Sequence, residues 1–110
     1  MAKLGTMTLT GKSGKQYSFE VYPWGTTFSA VGAVYYISKR TPKVDGGADH
    51  AKIYIGQTND LSERFDNHHK ADCFTKHGAN AISVHRDDNE DSRLAKESDL
   101  IADHNPPCND

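Results

Sequence analysis

Ala33-Val34-Tyr35-Tyr36-Ile37, followed sixteen residues further on by Ile53-Tyr54-Ile55-Gly56, are the two stretches whose reading decides the fold. Both are short, apolar, and rich in β-branched and aromatic residues, the composition of strands packed inside a sheet. The first strand is expected over Ala33 to Lys39 and the second over about Ala51 to Gly56. A long polar loop from Thr41 to Asp49, with Pro42 and Gly46-Gly47, would join them. Strands linked in this way are expected to pair antiparallel, and the register decides whether Tyr35 and Tyr54 share a face.

Outward from this pair, Met7 and Leu9 alternate with threonines, Gly11-Lys12-Ser13-Gly14 supplies a turn, and Tyr17, Phe19 and Val21 alternate beyond it. That pattern predicts a β-hairpin, ended by Pro23-Trp24-Gly25. On the other side, Asp60 and Glu63 have the spacing of a capping box and predict a helix to about Ala71. Ala81 to His85 reads as a short strand, and Glu90 to Asp103 as a second helix capped by Asp88 or Asn89. Pro106-Pro107 closes that helix and leads to Asn109. The fold class is therefore α/β, more strictly α+β: a small central, mainly antiparallel β-sheet built on the two tyrosine strands and the Ala81 strand, flanked by helices. The N-terminal β-hairpin, residues 1–31, is expected as an extension of a main domain at 32–110.

At 110 residues the chain is one domain, of a size that buries about two thirds of its unfolded surface. No run is apolar enough to span a bilayer, and the start, Met1 to Gly5, lacks the apolar stretch of a signal peptide. Two cysteines without framework spacing, Cys73 and Cys108, read as free thiols, and together these features point to a reducing, cytoplasmic location. The formal net charge of -2 excludes bulk coating of nucleic acid, but the charge is uneven. Residues 1–76 hold ten Lys or Arg against seven Asp or Glu, whereas residues 77–110 hold three against eight. Lys39, Arg40, Lys43 and Lys52 cluster around the tyrosine strands, where a phosphate backbone could lie; the plain alternative is an ordinary solvated surface.

On a helical wheel Leu61, Arg64, Phe65 and His68 share an arc of roughly 100°, and Leu94, Glu97, Ser98 and Ile101 do the same on the second helix. A charge inside an apolar stripe persists only if it is paired, binds a metal or lines a cleft, because an uncompensated buried ion is costly. An Arg64–Glu97 salt bridge between the helices is the structural reading. In order and spacing, however, these residues resemble the GIY-YIG nuclease superfamily. Its pattern is a Gly-Ile-Tyr-like strand, a Tyr-Ile-Gly strand, an Arg ten residues after the second Tyr, a His or Tyr four later, then a Glu and a closing Asn. Tyr35, Tyr54, Arg64, His68, Glu97 and Asn109 take these places, with Ala33 standing where the family has its first glycine and Gly32 just before it. The likeness spans Gly32 to Asn109.

The resemblance implies a metal-dependent endonuclease that hydrolyses phosphodiester bonds, of DNA ahead of RNA. Glu97 would be the single protein ligand of Mg²⁺ or Mn²⁺, a hard cation content with one carboxylate, waters and a substrate oxygen. Arg64 would grip the scissile phosphate with its planar, always-charged fork. Tyr35, Tyr54 and His68 would handle the attacking water, and Asn109 would orient a site group. A free tyrosine is ionised about one part in a thousand at neutral pH, a deficit of roughly 4 kcal/mol, whereas histidine pays almost nothing. The base is thus His68 or a tyrosine with a depressed pKa. Lys39, Arg40 and Lys52 would contact the nucleic-acid backbone. Duplex cleavage would need a homodimer or two successive nicks, and sequence specificity would need the hairpin or a protein partner. Two other functions compete: a binding module without turnover, and a zinc-binding interaction domain holding the ion through His69, Cys73 and His77, with Cys108 or His85 as a fourth ligand.

Overall fold

The computed structural model describes residues 3–63 and 70–109, Glu63 by its backbone alone. Five strands, β1 (Gly5–Thr10), β2 (Gln16–Pro23), β3 (Ala33–Pro42), β4 (Ala48–Thr58) and β5 (Ala81–Arg86), form one sheet in the order β1-β2-β5-β3-β4. Every neighbouring pair is antiparallel. Two helices, α1 (Ala71–Lys76) and α2 (Glu90–His104), and two 3₁₀ turns, Leu61–Glu63 and Pro107–Asn109, complete the described residues. The chain is an α+β domain with an antiparallel sheet, as its strand patterns predict.

β3 is bracketed by β5 and β4, so Ala33 to Ser38 are buried without interruption, and this is why the segment reads as a continuous apolar run. Alternation along β3 divides the core into two layers. Tyr35 and Ile37 face a cluster with Tyr54, Leu61 and Phe74 of α1, while Val34 and Tyr36 face a cluster with Ile55, Phe19 and Leu100 of α2. The helices thus cover opposite faces. β2 pairs with β5 through Glu20↔Val84 to Pro23↔Ala81, which makes β1 and β2 a continuation of the sheet. Their turn is tied to α2: the Asp99 carboxylate accepts from Ser13 N–H at 2.8 Å, Ser13 Oγ at 2.7 Å and Tyr17 Oη at 2.8 Å.

Three local expectations are corrected. Both ends of the Thr41–Asp49 loop are ladder, since Thr41 pairs with Asp49 and Pro42 with Ala48; a tight Lys43–Gly47 turn remains, with Gly46 at φ 95°. Pairing across a short turn outweighed the low strand propensity of Pro and Asp. Of the helix expected from Asp60 to Ala71, the described start is a 3₁₀ turn at Leu61–Glu63, residues 64–69 lie outside the described residues, and α1 begins at Ala71 and runs on to Lys76. The buried stripe of α2 is also rotated: Arg93 and Leu100 are buried, whereas Leu94 and Ser98 are exposed. The start of α2 is as expected, with Asn89 capping Ser92 N–H at 2.9 Å.

Candidate active site

The β3–β4 ladder places Tyr35 opposite Gly56 and Ile37 opposite Tyr54, so both tyrosines point to the same face. Their ring centroids are 6.0 Å apart. A bulge at Ile37/Ser38 moves the pairing from Tyr54 to Lys52 and leaves Ile53 as the extra residue on β4. Gly56 is what lets the rings lie across β4: a Cβ there would sit 2.5 Å from Tyr35 Oη and 2.7 Å from Tyr54 Cε2. Tyr35 is fully buried and Tyr54 is 8% exposed, so Tyr54 is the more accessible of the two. Tyr36, next in sequence, faces the α2 layer, and burial pushes its hydroxyl up to about 12, which removes it as a base.

Asn109 meets the same motif from the other direction. β4 is the outermost strand, so one side of its backbone has no neighbouring strand. The Asn109 amide fills that place at Ile55: its Oδ1 accepts Ile55 N–H at 2.9 Å and its Nδ2 donates to Ile55 O at 2.7 Å. Asn109 is held there by its neighbour. Cys108, 1% exposed, is disulfide-bonded to Cys73 of α1, which corrects the reading of both as free thiols. Two cysteines 35 residues apart carry no sequence sign of their proximity; the meeting of α1 and the C-terminal turn makes the bond. The bond also withdraws one support for a reducing compartment.

The zinc reading fails on the same bond. Cys73, His77 and Cys108 do present ligand atoms within 4.8 Å of one another, but two sulfurs joined to each other cannot act as two thiolates. His69 lies outside the described residues, and His85 is engaged by Ser18 O at 2.8 Å and Lys96 Nζ at 2.9 Å.

Glu97 is half-buried on α2, one turn beyond Arg93. Arg93 is the buried cation of this helix, its Nε donating to Gln57 Oε1 at 3.0 Å and its Nη1 to Asp87 O at 2.9 Å. Gly32 leaves room for it, because a Cβ there would lie 2.4 Å from Nη1. α2 packs on the face opposite the tyrosine rings, so the sheet lies between that helix and the rings. Arg64 and His68 lie outside the described residues. The described residues therefore bring Tyr35, Tyr54 and Asn109 together on Tyr54-Ile55-Gly56, and leave Glu97 on the helix that covers the other face.

The three cations expected on the backbone path do not share a face. Lys39 lies on the tyrosine side by alternation from Tyr35 and Ile37, while Arg40, opposite His50, and Lys52, opposite Ser38, lie on the other. The Ser38 Oγ to His50 Nδ1 contact of 3.0 Å agrees with that assignment. Sequence reading missed Arg93 and Asp99, which bond to Gln57 and to Ser13 and Tyr17 far along the chain, and gave Trp24 no role beyond a break; its place in Pro23-Trp24-Gly25 was the available signal. No protein-family model, curated protein or solved structure matches this chain.

Proposed function

We propose that the chain is an endonuclease that hydrolyses phosphodiester bonds of nucleic acid, DNA ahead of RNA, with a divalent cation, Mg²⁺ or Mn²⁺. The observation that carries this reading is the convergence of Tyr35, Tyr54 and Asn109, from three separate parts of the chain, on the three residues Tyr54-Ile55-Gly56. The glycine cleared for two rings and the amide clamped on the strand between them hold both tyrosines in one place. Glu97 fits the cation by its chemistry, a hard oxygen donor at a half-buried position. Among the described residues, no group of three His, Cys, Asp or Glu ligands includes it. When bound, the cation would polarise a phosphate oxygen.

The protein's own groups supply the rest. Tyr54, the more accessible ring, holds the attacking water through its hydroxyl, and Tyr35 packs beside it and fixes its position. As water oxygen bonds to phosphorus its proton passes to His68 or, through the Tyr54 hydroxyl, to solvent; the phosphorus–oxygen bond to the leaving strand breaks, and that oxygen takes up a proton. Arg64 neutralises charge on the pentacoordinate phosphorus. The motif spacing, not described geometry, assigns these two residues. Asn109 keeps Tyr54 and Gly56 aligned by holding the residue between them.

Incubation with supercoiled plasmid is the direct test. Nicking is expected with Mg²⁺ or Mn²⁺ and not with excess chelator; undiminished nicking in chelator would overturn the one-cation scheme. Glu97→Gln should remain folded and lose activity. Tyr54→Phe should slow cleavage by roughly a hundredfold or more at nearly constant substrate affinity, since only a hydroxyl is removed. Firm binding with no cleavage by the parent under either cation would favour a silent binding module.

A further inference from the structure

The Tyr22–Phe28 segment between β2 and β3 builds a feature that the cleavage chemistry does not use. Trp24, the single tryptophan of the chain, is 43% exposed. It sits at the second position of a tight turn in which Thr26 N–H donates to Pro23 O and Gly25 takes φ 90°. That is the geometry of a type II turn, which requires a residue tolerant of positive φ at the third position, and Gly25 is there. Thr26 Oγ1 bonds the same Pro23 carbonyl at 2.7 Å. Thr26 therefore closes the turn with both its amide and its hydroxyl. One edge of the indole is also held: it meets Phe74 edge-on at 6.0 Å, Phe74 meets Tyr54 at 5.4 Å, and Tyr54 meets Tyr35 at 6.0 Å. A row of four aromatic rings thus runs from the two motif tyrosines to a half-exposed indole.

Beside Trp24 lies a pocket of about 270 Å³ with Phe28 and Ile82 as apolar walls and the hydroxyl residues Thr26, Thr27 and Ser62 around it. It is smaller than the roughly 300–1,000 Å³ of sites for drug-sized ligands, a size suited to one flat ring system. A cation, Lys39, stands across β5 from the same turn. Asn80 O accepts the Trp24 backbone N–H at 3.0 Å, while Asn80 N–H donates to Ser38 O at 3.1 Å and Asn80 Oδ1 accepts the Arg40 backbone N–H at 2.6 Å, so one residue braces the Trp24 backbone against the strand segment that carries Lys39. Lys39 is exposed and lies on the tyrosine face, as the aromatic row does.

We infer that Trp24 and the pocket beside it are a stacking seat for one unpaired nucleobase of a nucleic-acid strand whose backbone passes Lys39. A rigid, partly exposed indole with a neighbouring cation is the pairing used on single strands, because every base offers a π-face and every linkage a negative charge. Bases inside a duplex are already stacked and paired, so the seat selects unpaired or extruded bases. The inference rests on the nuclease reading for its substrate class and narrows it to strands with an unpaired base near the cut.

The intrinsic fluorescence of the only tryptophan reads the contact directly. The full chain in chelator, where no cleavage is expected, is titrated with fluorescently labelled short oligothymidylate, oligouridylate and a duplex of equal length, following both tryptophan quenching and label anisotropy. Quenching by the single strands and little by the duplex is expected, and the two single-strand arms separate DNA from RNA. Trp24→Ala should bind single strands roughly 5- to 150-fold more weakly and leave duplex binding unchanged. Trp24→Phe keeps a stacking ring, should retain most of the affinity, and guards against a folding defect in the alanine variant. Binding seen by anisotropy without quenching, or a folded Trp24→Ala with parental affinity, would overturn the seat even if the parent nicks plasmid. Quenching by a parent that cuts nothing would instead leave the seat standing and remove the nuclease reading. No binding to any of the three probes would overturn both.

Discussion

Two residues without reactive groups set the geometry of the candidate site. Gly56 is required for what it lacks, because any side chain there meets Tyr35 Oη and the Tyr54 ring within van der Waals distance. Asn109 is required for its two-sided amide, which substitutes for a sixth strand at one position only. Asn109→Ala should leave Ile55 N–H and C=O without that partner, at a cost of about 1–3 kcal/mol, because these groups are partly buried. Chemical denaturation of the variant measures it, and a loss within a few tenths of a kcal/mol would show that water replaces the amide without penalty. Asn109→Asp should not rescue, since a carboxylate cannot donate to Ile55 O. The acidic side chain of Asp99 works differently: the Ser13 hydroxyl and then Tyr17 hold its carboxyl below the usual range, so its contribution is present above about pH 4 and fades as pH falls through the lowered value.

Among the elements, α1 and the C-terminal 3₁₀ turn are short and could not hold their places unaided. Six residues of helix bury one large side chain, Phe74, and the turn buries Cys108, with Pro106 buried just before it. The Cys73–Cys108 bond joins these two weak pieces and, through the next residue, sets Asn109 on β4. Closing a loop of 35 residues restricts the unfolded chain, and the bond should contribute roughly 2–4 kcal/mol. Melting with and without a thiol reductant checks this. The parent should melt lower when reduced, and the Cys73→Ala/Cys108→Ala double variant should melt low in both conditions. A parent indifferent to reductant would show that packing alone secures the turn.

Across the whole molecule the sheet separates charge as well as core. A net charge of -2 gives no general attraction for nucleic acid, so binding must rely on local cations, and the sheet sends Lys39 to one face and Arg40 and Lys52 to the other. A strand lying along the aromatic row can use Lys39 and cannot use the other two. Lys39→Ala should therefore reduce the slope of log affinity against log salt by about 0.7 for a single strand, the share of one phosphate contact, and Arg40→Ala or Lys52→Ala should leave it unchanged. Equal effects from all three would put the backbone path around the β3–β4 turn instead. No described helix is long and apolar enough to cross a membrane.

Local pattern was enough for the antiparallel sheet, the β3 and β5 strands and α2 with a cap at Asp88 or Asn89, of which the structure has Asn89, because an apolar run, a period or a cap is written in neighbouring residues. Local pattern did not single out Tyr35, Tyr54 or Asn109, which read by themselves as packed strand residues and a polar tail; only the likeness in motif order sets them apart. Whether the tyrosines share a face was open until the ladder set Tyr35 against Gly56, since a slip of one residue turns a strand over. The sorting of Lys39 from Arg40 and Lys52, the burial of Arg93 in place of Leu94, the bond between Cys73 and Cys108, and the clamp of Asn109 on Ile55 all depend on partners distant in sequence. Tertiary packing alone decides such features, because a buried charge, a thiol or an amide is stable only where its partner happens to stand, and nothing in the residue's own neighbourhood records that place.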